Sequence, residues 1–284
     1  MPRLTVIMPA YHAGATVESA MRSTLRAMPR DAELVVSVDG PDAETERAAR
    51  RVPDRRVVVR ENPENVGTVV RMREALETTD SELVARTDAD DLSLPWRFAV
   101  SMRALRHADI VCGSGIRFGR GMLPRPSYPR NLTSTELGLL LPFVNPLFHS
   151  SMLARRETLE AADAYARPNT AEDYVLWFDA LRQGARIYKL AVPVVAYRLS
   201  PGQLSGAPDY HERIAQDPEV LRAWSAWARS GRMSWLVDNG GVPGRPVGTP
   251  EQLRRVVAGV RLGTRPYARR NLAQVADLVG HPAC

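Results

Sequence analysis

Apolar positions along the first 112 residues switch back and forth between two periods. Residues 4–8 are a continuous β-favouring run ended by Pro9, and residues 10–14 (Ala-Tyr-His-Ala-Gly) read as a loop. From about 15 to 27 the apolar positions Val17, Ala20, Met21, Thr24 and Leu25 fall three or four apart, which predicts an amphipathic helix. Residues 33–38 predict a second strand, closed by Asp39-Gly40-Pro41-Asp42, a turn that can open a helix over 43–50. A third strand is expected at 56–60, a loop at 61–67 and a helix at 68–78. A fourth strand at 82–87 leads to a helix over 95–106 and a fifth strand over 109–112. Four strand–helix alternations in a row predict an open, mainly parallel α/β sheet flanked by helices, with right-handed crossovers.

Chemistry concentrates after the fourth strand. Residues 84–95 read Val-Ala-Arg-Thr-Asp-Ala-Asp-Asp-Leu-Ser-Leu-Pro, so Asp88, Asp90 and Asp91 fall within four positions. Like charges this close raise one another's pKa or recruit a cation. Carboxylate oxygens with room for water suit Mg2+ or Mn2+ better than a soft metal. Ligands of open α/β sheets bind outside the carboxyl ends of strands, which is where the cluster falls. A divalent metal holding a diphosphate is one reading. The other is that Asp91 or Ser93 caps the next helix and the remaining acids are solvated.

Three loops follow strands one, two and four and should converge on one crevice: 9–14, 39–42 and 87–91. Tyr11 offers an aromatic face for a base, Asp39 an acceptor for a base or ribose donor, and Asp88 and Asp90 offer metal ligands. Each alone is ordinary, since a Tyr after a strand usually packs and Asp-Gly usually turns. Their joint appearance is the signal. No Gly-x-Gly-x-x-Gly follows the first strand, and no phosphate-binding Gly-x-x-x-x-Gly-Lys-Ser/Thr occurs.

Composition changes this picture little. The 284 residues are 44% hydrophobic and 25% charged, a globular balance. The net charge of +6 would raise nucleic-acid binding, but the basic residues are dispersed and almost all Arg, with Lys189 the only lysine. No nucleic-acid partner is expected. Two cysteines, Cys112 and Cys284, exclude a disulfide framework or Cys-rich zinc site. The first apolar run is too short for a signal peptide, and no 18 consecutive apolar residues occur, so a soluble cytoplasmic protein is expected.

In this order the motifs resemble inverting family 2 glycosyltransferases of the GT-A fold, from Leu4 to about Ser205. Val6-Ile7-Met8-Pro9-Ala10-Tyr11 resembles the opening strand, with His12 where Asn is common. Asn65-Val66-Gly67 resembles the Asn-x-Gly turn, and residues 84–95 resemble the metal and nucleotide motif. Asn145-Pro146, His149 and residues 152–156 resemble the segment before the acceptor side. Ala171-Glu172-Asp173-Tyr174-Val175-Leu176-Trp177 resembles the catalytic-base helix. Tyr197-Arg198 and Pro201-Gly202-Gln203-Leu204-Ser205 resemble the closing strand and loop. The family often has two adjacent Asp after strand two; here Val38-Asp39 stands there, and Asp39 aligns with the base-contacting member.

The resemblance implies a GT-A catalytic domain over 1–205, its nucleotide-sugar half about 1–115 and its acceptor half about 116–205, followed by a helical extension over 206–284. It implies transfer from a nucleoside-diphosphate sugar, UDP-sugar favoured, to a hydroxyl or other nucleophile of a saccharide, natural product or peptide. Pro9, Ala10, Tyr11, Asp39, Arg71, Asp88, Ala89 and Asp90 would bind the donor. Asp90, aided by Asp88, would hold Mn2+ or Mg2+. Asp173 would be the base, and His149, Glu172 and Arg198 would touch acceptor or phosphate.

The residues themselves leave alternatives open. Thr170-x-x-Asp173 also fits a capping box, and acids favour helix N-termini anyway. His149 reads as an acceptor or phosphate contact, a third metal ligand or a buried histidine. Arg198 and the Gly202 loop could close over a pyrophosphate or form a surface hairpin. Trp177 reads as core. His12, His107, His211 and His281 show no metal-like spacing.

Residues 117–130, rich in Gly, Pro and Arg, read as a long loop near the acceptor side or a disordered insertion. Residues 209–235 read as one or two helices carrying Leu221, Trp224, Trp227 and Trp235. A Gly/Pro linker is expected at 242–250 and further helices at 251–260 and 267–279. The tryptophans are expected to pack these helices onto the catalytic domain; an acceptor-groove cover, a homodimer face and peripheral membrane contact through Arg254, Arg255, Arg261, Arg265, Arg269 and Arg270 are the other readings. Two competing functions remain: a nucleotidyltransferase or phosphohydrolase built on the same Asp cluster, and a nucleotide-sugar-binding relative without catalysis.

Overall fold

A computed structural model of the chain describes residues 2–119, 121–200, 209–231, 233–238 and 240–243. The loop expected at 201–205, most of the linker and the helices expected at 251–260 and 267–279 lie outside the described residues. The chain divides into two compact units. The first comprises 1–131, 147–168 and 187–201; the second comprises 132–146, 169–186 and the segments from 202 on.

The first unit is a nine-stranded sheet. Its strands are β1 (Leu4–Ala10), β2 (Ala32–Val38), β3 (Val57–Glu61), β4 (Leu83–Arg86), β5 (Leu92–Ser93), β6 (Ile110–Gly119), β7 (Met122–Ser127), β8 (Leu153–Arg155) and β9 (Ile187–Arg198). They lie in the order β3-β2-β1-β4-β8-β6-β9-β5, with β7 paired to β6. Helices α1 (Val17–Ala27), α2 (Ala43–Arg50), α3 (Thr68–Glu77) and α4 (Arg97–Leu105) fall in the connections between the early strands, and α6 (Arg156–Ala161) follows β8. β1, β2, β3 and β4 are mutually parallel. β8 runs against both β4 and β6, which turns β6 and its parallel neighbour β9 back to the common direction. Six of the nine strands therefore point one way, the mainly parallel sheet that the alternation of periods predicts.

Burial explains the pattern. β1 and β2 are buried almost end to end, as strands of a parallel sheet must be when helices cover both faces. α1 buries Val17, Ala20, Met21, Thr24 and Leu25, the stripe its spacing predicts. α2 begins at Asp42, whose carboxylate accepts the Thr45 amide at 3.1 Å. β6 and β9 approach so closely at Gly113 that an added Cβ would lie 2.1 Å from a methyl of Val194.

Two expectations need correction. The fifth strand does not stop at Cys112 but runs to Gly119. Residues 117–130 are not a long loop: β6 and β7 form a hairpin pairing Arg117 with Arg125 and Ile116 with Pro126. Pro124 and Pro126 suggest a loop because proline cannot donate within a ladder. Among the described residues β7, however, pairs only with β6, and an edge strand tolerates the missing donors. Gly119 and Gly121, at φ +104° and +69°, supply the left-handed backbone of the reversal.

The second unit is helical: α5 (Ser134–Leu140), α7 (Glu172–Arg182), α8 (Tyr210–Gln216), α9 (Pro218–Ser230) and α10 (Trp235–Asp238). Thr133 and Glu136 form a reciprocal capping box on α5. Asp217 ends α8 and caps α9, accepting from Glu219 N and Val220 N with Pro218 in the first turn, so 209–235 is broken where an Asp-Pro should break it. α9 packs on α7. Trp224 is buried, the Trp227 and Phe178 rings lie 5.1 Å apart, and Arg222 grips the buried Asp179 carboxylate at 2.6 and 3.3 Å. Trp224 and Trp227 are thus packing residues, and Trp227 packs on α7 through Phe178. Trp177 is core, as expected.

Candidate functional site

The loops after β1, β2 and β4 emerge from the carboxyl ends of three adjoining parallel strands of the first unit. Pro9 and Ala10 close β1 itself, paired with Ser37 and Val38. Tyr11 follows, 53% exposed, its ring 4.0 Å from that of His12. His12 adopts φ +48°, a left-handed position where Asn is at home. Its amide donates to Asp42 at 2.7 Å, tying the first loop to the start of α2.

Asp39 ends the second strand and is buried. Its carboxylate accepts the amides of Val66 (3.0 Å) and Gly67 (2.9 Å) and Nε of Arg71 (2.8 Å). It thereby organises the Asn65-Val66-Gly67 turn, where Gly67 needs φ +89°. Arg71 spends its other donors on Glu74 (2.7 Å) and the Glu64 carbonyl. Its guanidinium is thus held behind Asp39.

The acidic cluster is set among arginines. Asp88 Oδ1 accepts Nε of Arg86 at 3.0 Å. Asp91 is wholly buried and accepts the Arg198 amide at 2.9 Å. Burial pushes the Asp91 carboxyl well above the usual range, and Asp88 and Asp90 add to this; the Arg198 amide and the Ser150 hydroxyl oppose it. Arg97, also buried, donates to Ser93 Oγ (2.9 Å) and to the Arg86 carbonyl. Burial lowers its pKa to about 10, with Asp91 and Asp88 pulling the other way. Arg198 donates Nε to the Asp90 carbonyl at 2.9 Å and lies 4.7 Å over the Phe118 ring. Ala89 is buried between the acids. Neither Asp91 nor Ser93 caps α4, whose N-cap is Trp96 without a side-chain bond. Ser93 Oγ instead meets Thr24 and Arg97.

Among the described residues no three His, Cys, Asp or Glu side chains converge into a ready metal cage. The donors present are a half-buried carboxylate, Asp90, and a second, Asp88, that shares its charge with Arg86. Such a set fits a hard cation that takes one or two carboxylates and completes its shell from phosphate oxygens and water, as Mg2+ and Mn2+ do.

His149 is buried behind this cluster. Its Nδ1 meets Nη1 of Arg86 and its Nε2 meets the Tyr165 hydroxyl at 2.8 Å, so both ring nitrogens are engaged by protein. Of the three readings, the buried histidine fits this geometry.

Asp173 and Glu172 open α7 in the second unit. The N-cap is Ala171, with no side-chain cap, so the Thr170–Asp173 capping box does not form. The Thr170 amide goes instead to Asp217 at 2.7 Å. Asp173 accepts the side-chain amide of Asn145 at 2.6 Å and the Tyr174 amide at 2.8 Å.

Arg86 and Asn145 stand inside motifs that carry the resemblance, yet neither is a candidate site residue in the sequence, and nor is Arg97. Arg86 was open to detection: an arginine inside a buried apolar strand, two positions before an acid, must find a carboxylate. Arg97 looks like any first-turn surface arginine.

The site lies where open α/β sheets bind their ligands, outside the carboxyl ends of adjoining parallel strands. The family model for glycosyl transferase family 2 matches residues 5–163, and the chain belongs to that family. Among curated relatives, EpsE of Bacillus subtilis (strain 168), provisionally assigned as a glycosyltransferase, is 28% identical over 203 residues, covering 66% of this chain and 70% of EpsE. The O-antigen biosynthesis glycosyltransferase WbnJ of Escherichia coli is 23% identical over 186 residues, covering 63% of this chain and 72% of WbnJ. Among solved structures, S. aureus TarS 1-349 in complex with UDP-GlcNAc superposes with a TM-score of 0.61 at 18% identity, covering 98% of this chain and 89% of that one.

Proposed function

We propose that this glycosyltransferase is metal-dependent and inverting, and moves a sugar from a UDP-sugar to an acceptor hydroxyl. The observation that carries the reading is the placing of Tyr11, Asp39 and the Asp88–Asp90 pair at the ends of adjoining strands. Tyr11 presents its exposed ring to the base. Asp39 keeps one acceptor position beyond its three protein donors, of the roughly four a carboxylate has, for a base or ribose donor. Asp90 and Asp88 would hold Mg2+ or Mn2+, which when bound offsets charge on the departing diphosphate. Asp173 takes the acceptor proton as the acceptor oxygen attacks the anomeric carbon from the side opposite the leaving group. One C–O bond forms, the bond from sugar to phosphate breaks, and its electron pair leaves on the diphosphate.

The UDP-GlcNAc complex of TarS supports UDP as the donor nucleotide, and the role of WbnJ in O-antigen biosynthesis supports a saccharide acceptor. The chemistry falls to residues 1–205, with 206–284 as an extension. Among the described residues no helix is long and apolar enough to cross a membrane.

The test is thermal stabilisation by UDP, TDP, GDP and CDP, each with and without Mn2+, in the wild type and in Asp90→Ala. A ligand that binds only the folded state raises the melting temperature. The expected result is a metal-dependent shift with UDP that Asp90→Ala loses. No shift with any of the four would overturn the donor-site assignment.

A further inference from the structure

His149 lies on a short turn (His149–Ser151) just before β8, the strand that runs against β4. β4 ends in Arg86, two residues before Asp88. The four side chains Tyr165, His149, Arg86 and Asp88 form one continuous chain of contacts within the first unit. The His149 and Tyr165 rings stack at 5.9 Å and 13°. Tyr165 itself is held at φ +62°, a left-handed conformation unusual for an aromatic residue, so the backbone is bent to present this ring.

Hydrogen-bond chemistry orders the chain. A guanidinium has no acceptor, so the Arg86 contact takes the Nδ1 lone pair, and the ring proton sits on Nε2, where it points at the Tyr165 oxygen. With one nitrogen facing Arg86 and the other facing Tyr165, the imidazole has a fixed orientation. Arg86 is in turn buried, and its Nε meets Asp88 Oδ1.

We propose that His149, steadied by Tyr165, is a positioning residue that aims Arg86 at Asp88 and so sets the carboxylate geometry of the donor site. This rests on the reading of Asp88 and Asp90 as the metal-diphosphate acids. Outer partners of this kind typically control metal affinity by ten- to a hundredfold without touching the ion.

The test is Mn2+ affinity in the presence of saturating UDP, read from the signal of free Mn2+ by electron paramagnetic resonance. It compares wild type, His149→Leu, His149→Asn, Tyr165→Phe, Arg86→Met and the double variant Arg86→Met/His149→Leu. His149→Leu is expected to weaken Mn2+ binding roughly ten- to a hundredfold. His149→Asn, which restores an acceptor near the position of Nδ1, should recover most of the loss. Tyr165→Phe removes one oxygen with little change in packing, and should weaken binding in the same direction even if the leucine variant fails to fold. In the Arg86→Met background the leucine substitution should cost nothing further, because a residue that acts through another has no effect once that other is gone. Undiminished affinity in both His149→Leu and Tyr165→Phe, or a full additional loss in the Arg86→Met background, would overturn the inference. Asp90→Ala separates the two levels. If Asp90→Ala also binds Mn2+ and UDP as wild type does, the donor-site reading has failed and takes this inference with it. If Asp90→Ala loses them while the His149 and Tyr165 variants do not, only this inference falls.

Discussion

Asn145 donates its side-chain amide to the carboxylate of Asp173 across 2.6 Å, joining residues 28 positions apart within the second unit. The bond fixes which oxygen of Asp173 is engaged and which way the carboxylate plane faces. A general base is worth roughly 10²–10⁴ in rate when it is correctly aimed. Asp173→Asn is therefore expected to lower kcat by about that factor and to leave UDP affinity unchanged. Asn145→Ala keeps the carboxylate but releases it, and should lower kcat by roughly tenfold, a fraction of the same effect. Steady-state transfer kinetics beside calorimetric UDP titration would check both; a large change in UDP affinity with kcat intact would assign Asp173 to the donor instead.

Arg222 and Asp179 set the stability of the α7–α9 pair. Asp179 is buried, and its carboxylate takes its two hydrogen bonds from the Arg222 guanidinium, with Arg182 of the same helix 3.5 Å from Oδ1 as a looser ion pair. Arg222→Ala removes both hydrogen bonds and leaves the buried carboxylate only the looser Arg182 contact, a loss expected toward the lower end of the about 1–3 kcal/mol that an under-satisfied buried group costs. Asp179→Asn/Arg222→Ala should recover part of the loss, because the poorly compensated charge is gone. Urea denaturation of the three variants measures this.

Gly113 is where β6 leaves no room for a side chain against β9. An alanine methyl there would fall within 2.1 Å of Val194, and both are interior strand residues. Gly113→Ala should destabilise the protein by about 1–3 kcal/mol through overpacking, and Val194→Ala in the same chain should relieve most of it. Melting temperatures of the single and double variants would show the compensation.

Lys189 predicts an alkaline signature. Its ammonium is buried, donating to Ser114 Oγ (2.8 Å) and to the carbonyls of Tyr128 (2.7 Å) and Arg130 (3.4 Å). Burial lowers its pKa from 10.5 to about 8. Below pH 8 both folded and unfolded chains carry the proton. Between 8 and 10.5 the unfolded chain binds more protons, so this residue's part of the stability rises with pH and levels off above 10.5. The urea midpoint of the wild type should therefore rise relative to Lys189→Met across that window. Parallel pH profiles of the two proteins would contradict the burial argument.

Much of this was legible in the sequence. Each early strand and helix shows its own period, and β1, β2 and β4 are buried on both faces, so their apolar runs are nearly unbroken, while the outermost strand β3 is only partly buried. The Asp cluster and Asp39 stand out because charge after such a run needs a reason. The hairpin of β6 and β7 was hidden, because proline reads as a breaker until the strand is known to lie at an edge. The capping-box reading of Thr170 failed because a competing acid, Asp217, is 47 residues away in sequence and takes the Thr170 amide. The chain from Tyr165 to Asp88 was equally hidden: nothing local in the sequence links a histidine on one turn with an arginine on a strand 63 residues earlier.

The prolines of β7 have a consequence beyond the hairpin. A free strand edge offers a template on which a foreign chain can extend the sheet. Ile116 and Arg117 occupy the inner side of β7, and its residues 123–126 are exposed, Leu123 to 79%. An incoming strand would find no amide at 124 or 126, and Arg125 between them carries a charge. The same residues that disguise β7 as a loop thus remove two amide donors from the strand that carries the exposed Leu123.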